Sequence, residues 1–434
     1  MTGATVAAAD GDSVHVDLRL VVAPSAGTFR PAAEGQNGKR GAVLQAGTVV
    51  GYIEGPSSDV DVATFCDGHV VRTLAHPGER VRPGQPLVWI QPVDTTGSAF
   101  TIAGDDDDDV DSRPAPEIPL GFLGAGAALP ALRMTNDDLA EHFDTSDEWI
   151  SARTGIRARH VADPAAAETT TALAADAGAR ALAAAGLDPE QIDLVVVATA
   201  TPDSACPSTA ARVAQVLGIE AAAFDVNGAC CGFVHALHAV AAMVAVGPPT
   251  NALVIGAERF TTLVDPDDRA TAVLFGDGAG ALVVAAGIGG AGATGILAAD
   301  LGGAPSALAV LEVPTTSPYL RMDGPELYRR ATRSLASSAL ATLERAGLTP
   351  QDVDLWVPHQ ANSRIISAAA ERIGLTPDQV VVDLTDRANT SAASIPLALS
   401  SIAADGRLDQ DKVVLLSAIG AGIDWTSLLL RWGR

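Results

Sequence analysis

The hydrophobic and polar positions divide the chain into two regions with different periods. In residues 1–93, short segments of alternating polarity at 14–20, 48–53 and 87–90 are separated by turns that carry Pro-Gly pairs. This pattern is typical of β-strands joined by tight turns. From residue 118 onward, short apolar runs instead alternate with segments of helical period. We therefore predict a small all-β unit at 1–93 and a larger α/β region after it.

Residues 94–114 separate these two regions and show no periodicity. They include five consecutive aspartates at 105–109. Like charges repel one another and keep such a segment extended. An acidic run can in principle bind Ca²⁺, but a solvated tether is the interpretation we prefer. The prediction is an acidic linker at 94–114 and an α/β domain at 115–434.

The α/β region contains an internal repeat at a constant offset of 161 residues. Residues 186–197 match residues 347–358 at six of the twelve positions. In each copy a predicted helix precedes a Gly-Leu-x-Pro turn and a buried strand, and another helix follows; these helices are expected at 171–185, 208–217, 328–346 and 363–373. Such a repeat indicates two duplicated α/β halves, at about 115–290 and 291–434, in a layered architecture. The copies diverge after their strands, and chemistry is expected where they differ.

Cys230 lies where a predicted strand turns into a predicted helix. The apolar run at 221–226 predicts a buried strand, and apolar positions from Phe233 onward recur with helical period. Unpaired backbone N–H groups and the positive end of the helix dipole favour a thiolate at such a position. Cys230 is therefore a candidate nucleophile. The alternative is that Cys230 and Cys231 are small core residues, as buried free cysteines often are.

Two further polar positions and one segment of small residues in this region suggest a site. His359 follows a predicted strand, Asn389 lies in a polar segment, and the small residues Gly420–Gly422 precede another predicted strand. Strand ends of an α/β layer are the usual location of ligand chemistry, and small residues let backbone N–H groups approach a ligand. Taken alone, His359 would be interpreted in preference as a hydrogen-bonded structural histidine, and the alternative for Asn389 is a turn residue.

Composition and charge restrict the class of protein. The formal net charge of −24 argues against non-specific nucleic-acid binding, and 48% hydrophobic residues are enough for a large core. The four cysteines, at 66, 206, 230 and 231, form no C-x-x-C pair and no disulfide framework. The sequence has no signal-peptide pattern and no long uncharged apolar run, so we expect no membrane span. A reduced cytoplasmic enzyme without a metal is the expectation.

Residues 1–93 resemble the biotinyl/lipoyl carrier domain, a flattened β-barrel. The stretches that carry this resemblance are 22–29, 50–54, 68–71 and 77–87. That family places its modified lysine in a hairpin three residues after a glutamate, and the same count from Glu54 reaches Ser57. An amide-linked prosthetic group needs a lysine amine, so the resemblance implies a carrier-shaped domain without covalently bound biotin or lipoate. The alternative is an unrelated β-barrel with similar turns.

The second region resembles the β-ketoacyl–acyl carrier protein synthase III family of the thiolase-like superfamily, from residue 118 to residue 434. The motifs that carry the resemblance are long and collinear, at 145–157, 225–233, 265–269, 275–280, 357–362 and 420–425. The resemblance implies a thiolase-like fold, duplicated, with five αβαβα layers. It also implies a homodimer whose substrates are acyl-CoA and an acyl carrier protein.

The family's Cys-His-Asn triad falls on Cys230, His359 and Asn389. The resemblance implies that the Cys230 thiolate attacks an acyl-CoA thioester and holds the acyl group. His359 and Asn389 would then stabilise the enolate that forms when a malonyl thioester loses CO₂, and the backbone N–H groups of Cys230 and Ala421 would hold the tetrahedral oxyanion. Because all three triad positions match the condensing type, we expect a decarboxylative Claisen condensation of an acyl-CoA primer with malonyl–acyl carrier protein to a 3-oxoacyl product, in fatty-acid or polyketide initiation. The alternative is an acyltransferase that moves the acyl group to another nucleophile without decarboxylation.

The resemblance also assigns CoA contacts. Trp149 and Arg153 match the pair that sandwiches the adenine of CoA, where an aromatic ring and a planar guanidinium suit stacking. Arg269 matches another contact on the adenine and phosphate side, and Asn362 matches a pantetheine contact. Each arginine has the alternative of a solvated surface residue.

Carrier-protein docking and primer size are implied by other positions. Arg329, Arg364 and Arg372 fall where the family meets the acidic carrier protein, although Glu371 departs from a basic family position. Cys206 occupies a position where the family often has a larger residue that reaches into the partner subunit's acyl pocket. A smaller side chain there would admit a longer or branched primer. A different class of hypothesis makes the N-terminal domain the functional part, as a carrier or docking module.

Overall fold

The computed structural model describes residues 19–32, 43–55, 59–75, 78–92, 118–247, 249–287 and 294–433. The chain divides into two compact units, Met1–Asp111 and Ser112–Arg434. Most of the strand predicted at 14–20, the candidate attachment position Ser57 and the linker predicted at 94–114 lie outside the described residues.

The described part of the first unit consists of strands in two antiparallel four-stranded sheets. The strands are β1 (Arg19–Val22), β2 (Gly27–Pro31), β3 (Val43–Leu44), β4 (Val49–Glu54), β5 (Val60–Ala63), β6 (Gly68–Thr73), β7 (Arg80–Val81) and β8 (Pro86–Pro92). One sheet has the order β1-β8-β6-β3 and the other β5-β4-β2-β7. Alternate residues of these strands form one apolar core in which Phe29, Ile53 and Leu87 are fully buried.

The second unit is built on a mixed nine-stranded sheet, counted over its described residues. Its strands are β9 (Ile118–Ala128), β10 (Leu132–Thr135), β11 (Ala158–Val161), β12 (Leu194–Ala198), β13 (Ala222–Val226), β14 (Asn251–Arg259), β15 (Asp277–Ala286), β16 (Gly295–Gly303), β17 (Leu311–Glu312), β18 (Arg321–Met322), β19 (Leu355–Pro358), β20 (Val413–Gly420) and β21 (Asp424–Arg431). The order in the large sheet is β13-β12-β14-β15-β9-β16-β21-β20-β19. Its two halves meet through a short antiparallel pairing of β9 with β16.

The α-helices of the second unit lie between and outside the two halves of this sheet. They are α1 (Asn136–Ala140), α2 (Asp147–Thr154), α3 (Thr170–Ala185), α4 (Thr209–Leu217), α5 (Gly232–Val246), α6 (Arg269–Ala272), α7 (Gly324–Arg345), α8 (Ser363–Ile373) and α9 (Ser394–Ala404). Apolar residues of α5 and α9 pack against strands of both halves. Helices α3 and α4 cover the outside of the first half, and α7 and α8 cover the outside of the second. The five-layer α/β prediction is therefore confirmed for this unit.

The predicted repeat corresponds to one supersecondary unit used twice. Helix α3 ends at Gly186 and α7 is followed by Gly347, each in the left-handed conformation that glycine adopts without strain. A single 3-10 turn then leads into β12 in the first half and into β19 in the second. The helices predicted after these strands are α4 and α8. The local sequence thus specifies both copies in the same way.

The prediction of a buried strand at 221–226 is wrong in one respect. Strand β13 has the predicted position, but its residues are half-buried, and Ala222 is exposed. The reason is topological, because among the described strands β13 pairs with β12 alone and so forms an edge of the sheet. An unpaired edge of this kind presents free backbone groups for pairing with another chain.

One apolar segment of the described chain is long enough to cross a membrane by length and composition. It runs from Ala229 to Val246 and includes α5. Of this segment, 56% is buried inside the protein. Its apolar character is accounted for by its position between the two halves of the sheet.

Candidate active site

The turn that carries Cys230 is shaped by a strained backbone and a close glycine. Strand β13 ends at Val226, and a 3-10 turn at Ala229–Cys231 leads into α5. Ala229 has a φ of 44°, which non-glycine residues rarely adopt. A Cβ atom at Gly420, the last residue of β20, would lie 3.0 Å from the Cys230 nitrogen. Glycine at 420 therefore lets the end of β20 approach the Cys230 backbone, and Ala421 follows directly.

The Cys230 thiol is buried and donates a hydrogen bond to another side chain. Its residue is 6% exposed, and its Sγ atom lies 3.5 Å from Ser391 Oγ. Burial raises the pKa of Cys230 to about 12. Burial therefore favours the neutral thiol in the free protein and opposes the stabilisation of a thiolate that is expected from the helix start. A group that takes the thiol proton is needed for nucleophilic attack.

His359 follows β19 and is held at both its backbone and its ring. Its backbone N–H donates to Ser417 O at 2.7 Å, and its Nδ1 lies 2.7 Å from Ser394 Oγ. Burial lowers the pKa of His359 to about 4, so the imidazole is neutral at physiological pH. A Ser394 hydroxyl that donates to Nδ1 leaves Nε2 as the protonated ring nitrogen. His359 can then donate a hydrogen bond from Nε2.

Asn389 lies in the segment between α8 and α9 and not at the end of a strand, which corrects the expectation from sequence. Its backbone N–H donates to Leu274 O at 2.9 Å, which ties the segment to the residues just before β15. Its side-chain Oδ1 accepts a hydrogen bond from the Ser391 N–H at 2.9 Å. Because this bond fixes the carbonyl side of the amide, the NH₂ side is the one that can donate to a ligand.

These contacts bring the three predicted triad residues to the N-terminal turn of α9. Cys230 reaches Ser391, Asn389 binds the Ser391 N–H, and His359 reaches Ser394 at the first position of the helix. All three triad residues are less than 9% exposed. A thiol, a neutral imidazole and a carboxamide on one helix start can together hold and polarise a thioester.

Glu258 is a residue of this site that the sequence reasoning missed. It lies near the end of β14, is 0% exposed, and accepts hydrogen bonds from Thr201 Oγ1 at 2.6 Å and from the Ala200 N–H at 3.1 Å. The Ser391 hydroxyl is among the groups that oppose a rise in the pKa of this carboxyl. Burial raises the pKa of Glu258 to about 7. A single acid after the apolar run 252–257 was the signal that could have found it.

Three of the four predicted CoA contacts form one cluster. The guanidinium carbons of Arg153 and Arg269 lie 4.4 and 5.1 Å from the centre of the Trp149 ring. Guanidinium groups next to an aromatic ring offer flat surfaces on which an electron-rich base can stack. Asn362 is the fourth, and it caps α8, its side chain accepting from the Arg364 N–H at 2.9 Å.

The predicted docking arginines lie on the surface of α7 and α8. Arg329 forms an ion pair with Glu326, and the Arg364 guanidinium carbon lies 5.8 Å from the centre of the Tyr328 ring. Arg372 is exposed in the last turn of α8, next to the exposed Glu371. The three arginines therefore share one outer layer of the second half.

Two of the other cysteines lie in contrasting surroundings. Cys206 is exposed in the segment that joins β12 to α4. Cys231 is fully buried in the central core, which agrees with its interpretation as a core residue.

The Cys231 sulfur, a ring nitrogen of His235 and a carboxylate oxygen of Asp424 lie within 4.8 Å of one another. Of the described side chains, these three form the group whose ligand atoms could hold a metal ion, and the expectation of an enzyme without a metal stays a prediction.

A duplicated five-layer fold with a thiol at the start of a central helix defines a thiolase-like acyl-transferring enzyme. Residues 224–305 match the family described as 3-oxoacyl-[acyl-carrier-protein] synthase III, and residues 343–432 match its C-terminal part. A relative from Neisseria meningitidis, the "beta-ketoacyl-[acyl-carrier-protein] synthase III", is 49% identical over 319 residues, which are 71% of this chain and 98% of the relative. The chain belongs to the β-ketoacyl-[acyl-carrier-protein] synthase III family.

Solved structures agree with this assignment. The 3-oxoacyl-[acyl-carrier-protein] synthase III of Aquifex aeolicus is 41% identical with a TM-score of 0.69, over 72% of this chain and all of that one. The priming β-ketosynthase of the R1128 polyketide pathway is 36% identical with a TM-score of 0.68, over 74% of this chain and 98% of that one. The family matches lie within the second unit, so the first unit is an addition to the length that these relatives share.

Proposed function

We propose that this protein condenses an acyl-CoA primer with malonyl–acyl carrier protein and releases CO₂, to give a 3-oxoacyl–acyl carrier protein. The observation that carries the proposal is the convergence of Cys230, His359 and Asn389 on the N-terminal turn of α9. The names of the family members support the same activity. The fatty-acid and polyketide relatives are both compatible with this chemistry.

Acyl transfer to Cys230 is the first step. The sulfur attacks the thioester carbonyl, and the tetrahedral oxyanion is held by the backbone N–H groups of Cys230 and Ala421. The close approach of Gly420 to the Cys230 nitrogen supports this pairing, since it sets the two N–H groups on neighbouring chain segments. A donor in such an oxyanion hole contributes about 3 kcal/mol in the transition state.

Condensation is the second step and uses the other two residues. Loss of CO₂ from the malonyl group leaves an enolate, whose oxygen needs neutral hydrogen-bond donors. His359 suits this role because its low pKa keeps the ring neutral, and Asn389 suits it because its carbonyl side is already occupied by the Ser391 N–H. The enolate carbon then attacks the acyl group on Cys230 and returns the sulfur as a leaving group.

The decisive experiment mixes the protein with an acyl-CoA and a malonyl-loaded carrier protein. CO₂ and a 3-oxoacyl product are expected, and intact mass should show an acyl adduct that Cys230→Ala lacks completely. The variant Cys66→Ala is the matched control, because it removes a cysteine of the first unit and should keep the adduct. Acyl transfer to another nucleophile without CO₂ would instead establish the acyltransferase alternative.

Substrate contacts follow from the clusters described above. Trp149, Arg153 and Arg269 hold the nucleotide end of CoA, with Asn362 on the pantetheine, and Arg329, Arg364 and Arg372 receive the carrier protein. The half-exposed edge strand β13 supports a homodimer, since two copies can pair there. Across that dimer, Cys206 would line the partner's acyl pocket and admit a longer or branched primer.

The first unit is assigned a supporting role in a cytoplasmic enzyme. We assign residues 1–93 to a biotinyl/lipoyl-like domain without an attachment lysine and 94–114 to the linker before the synthase domain at 115–434. Such a domain carries no covalent cofactor and acts as a docking module for a partner enzyme. The test is an intact mass with no biotin or lipoyl adduct, and condensation by residues 115–434 equal to that of the full chain with free substrates.

A further inference from the structure

Three side chains of metal-ligating type converge next to the turn that carries Cys230, and the proposed function uses none of them. The Cys231 sulfur, a ring nitrogen of His235 and a carboxylate oxygen of Asp424 all lie within 4.8 Å of one another. The His235 Nε2 and Asp424 Oδ2 atoms are 3.5 Å apart, and the Cys231 thiol donates to Asp424 O at 3.2 Å. All three residues belong to the second unit, so the cluster lies within one compact body.

Two chain segments bring these residues together. Cys231 directly precedes α5 and His235 lies in its first turn, one helical turn further on, so both side chains project from one face of the helix. Asp424 is the first residue of β21, which packs against α5. Glycine at 228 leaves the space that the His235 ring occupies, because a Cβ atom there would lie 2.8 Å from His235 Nδ1. The ring is thereby placed with Nε2 toward Asp424.

The donor set of this cluster is the one that zinc prefers. Zinc is bound in proteins by cysteine sulfur, histidine nitrogen and aspartate oxygen, and two ligands one turn apart on a helix are a recurring arrangement. Tetrahedral zinc needs ligand atoms roughly 3.3–3.6 Å apart, a spacing that the His235–Asp424 pair already has. A thiolate and a carboxylate would balance the two positive charges of the ion. Ca²⁺ and Mg²⁺ prefer oxygen ligands and are disfavoured by the sulfur.

The exposure of the three ligands suits an ion that arrives from solvent. Cys231 is 0% exposed, whereas the side chains of His235 and Asp424 are 22% and 38% exposed. An ion can therefore reach the sulfur past the imidazole and the carboxylate. Three protein ligands leave the fourth tetrahedral position for water or another small ligand. The alternative explanation is an ion pair between His235 and Asp424, in which Cys231 has no part.

We propose that Cys231, His235 and Asp424 form a binding site for a zinc-type divalent cation that links the start of α5 to the start of β21. On binding, the ion displaces the hydrogen bond from the Cys231 thiol to Asp424 O, and the thiol releases its proton to solvent. None of the three triad residues is a ligand, so the site does not rest on the proposed function. The expectation of an enzyme without a metal predicts the opposite result in the same measurement.

The test is titration of the full, chelator-treated chain with Zn²⁺ and, in parallel, with Co²⁺ as a spectroscopic probe. Co²⁺ should give a thiolate-to-metal charge-transfer absorption, which an ion pair cannot produce, and Cys231→Ala should abolish it. His235→Gln and Asp424→Asn should each weaken Zn²⁺ binding roughly 100-fold, since even the loss of an outer-shell partner costs about 10–100-fold. Zn²⁺ should also raise the thermal unfolding midpoint of the native chain and not that of Cys231→Ala.

Two controls separate this site from the neighbouring thiol and histidine. Cys230→Ala and His238→Gln, which lies on the same helix, should keep both the absorption and the affinity for Zn²⁺. The proposal is overturned if the native chain gives no absorption, if Cys231→Ala keeps it, or if Cys230→Ala loses it. Zn²⁺ binding that His235→Gln and Asp424→Asn leave unchanged overturns it as well. If Cys231→Ala fails to fold, these two partly exposed positions decide. Binding is measured without substrate, so a failure of the proposed condensation stays distinguishable.

Discussion

The two halves of the synthase domain build the same entrance to a central helix and use it differently. In the first half, Ala229 with a positive φ begins a 3-10 turn that leads into α5. In the second half, Ser391 with a φ of 49° begins the turn at Ser391–Ala393 that leads into α9. The first entrance carries the thiol of Cys230. The second carries the hydroxyls of Ser391 and Ser394, which hold the thiol and the imidazole.

The proposed function divides the labour between the halves. In it, the first half supplies the nucleophile and the Trp149 cluster for acylation. The second half supplies His359, Asn389 and the predicted docking arginines for condensation. Duplication provides two equivalent helix starts that face each other, and divergence at a few positions makes one a nucleophile site and the other its support. Variants in the two halves should therefore separate the two reactions.

The sharpest separation is expected from Asn389→Asp. Aspartate keeps an oxygen that accepts from the Ser391 N–H and loses the NH₂ donor proposed for the enolate. Acylation by acyl-CoA should remain, whereas condensation should fall by roughly 10²- to 10³-fold, the typical cost of one oxyanion donor. Intact mass measures the first reaction and 3-oxo product the second. Equal losses in both reactions would contradict the division between the halves.

A second prediction concerns the free energy of unfolding in acid, and it depends on His359 in the second half. The pKa of His359 is about 4 when folded against 6.5 ordinarily, so the unfolded chain binds a proton that the folded chain refuses. The free energy of unfolding is therefore unaffected by His359 above about pH 6.5, and protonation of this residue in the unfolded chain lowers it as the pH falls toward 4. At about pH 5 the native protein should have lost about 2 kcal/mol of unfolding free energy through His359, and His359→Gln should not show this loss. Urea unfolding followed by tryptophan fluorescence at several pH values measures the difference.

The control for that measurement is His142→Gln, at an exposed position of the same domain. Its unfolding free energy should follow the native pH profile. A His359→Gln profile parallel to the native one would show that the ring is not buried in its neutral form.

The third prediction is a smaller effect confined to acylation. Trp149→Ala removes the ring on which Arg153 and Arg269 lie, and should raise the KM for acyl-CoA roughly tenfold, equivalent to about 1.4 kcal/mol of stacking. Trp149→Phe should restore most of the affinity. The KM for malonyl–carrier protein should not change. An acyl primer on pantetheine, which lacks the nucleotide, should be used equally well by Trp149→Ala and Trp149→Phe. A KM for that primer that is higher in Trp149→Ala would argue against adenine stacking.

The sequence predicted the elements and the motif positions of this domain because both are local properties. Helical and strand periods, the two glycines after α3 and α7, and the polar residues after β19 are all encoded within short segments. The position of Cys230 at a strand-to-helix turn was predicted in the same way. Duplication helped, since one copy served as the reference for the other.

Properties set by tertiary structure could not be predicted. The exposure of β13 depends on its place at the sheet edge, and the pKa of Cys230 depends on the balance of burial against the helix start. Glu258 lies near the end of an apolar strand, where a surface charge is common, and its complete burial depends on contacts with Thr201 and Ala200 from the segment after β12. The sequence specifies residue types, whereas exposure, pKa and burial depend on the residues that the fold places around each side chain.

The smallest expected effect tests whether the second half also receives the carrier protein. Within the described chain Arg372 forms no ion pair, unlike Arg329, so its charge is the most available of the predicted docking set. Arg372→Glu should raise the KM for malonyl–carrier protein a few-fold, equivalent to about 1 kcal/mol or less for an exposed charge, and added salt should reduce the effect. Arg180→Glu, on α3 of the first half, is the matched control. A similar change in both variants would show that overall charge, and not the α7–α8 surface, governs the encounter.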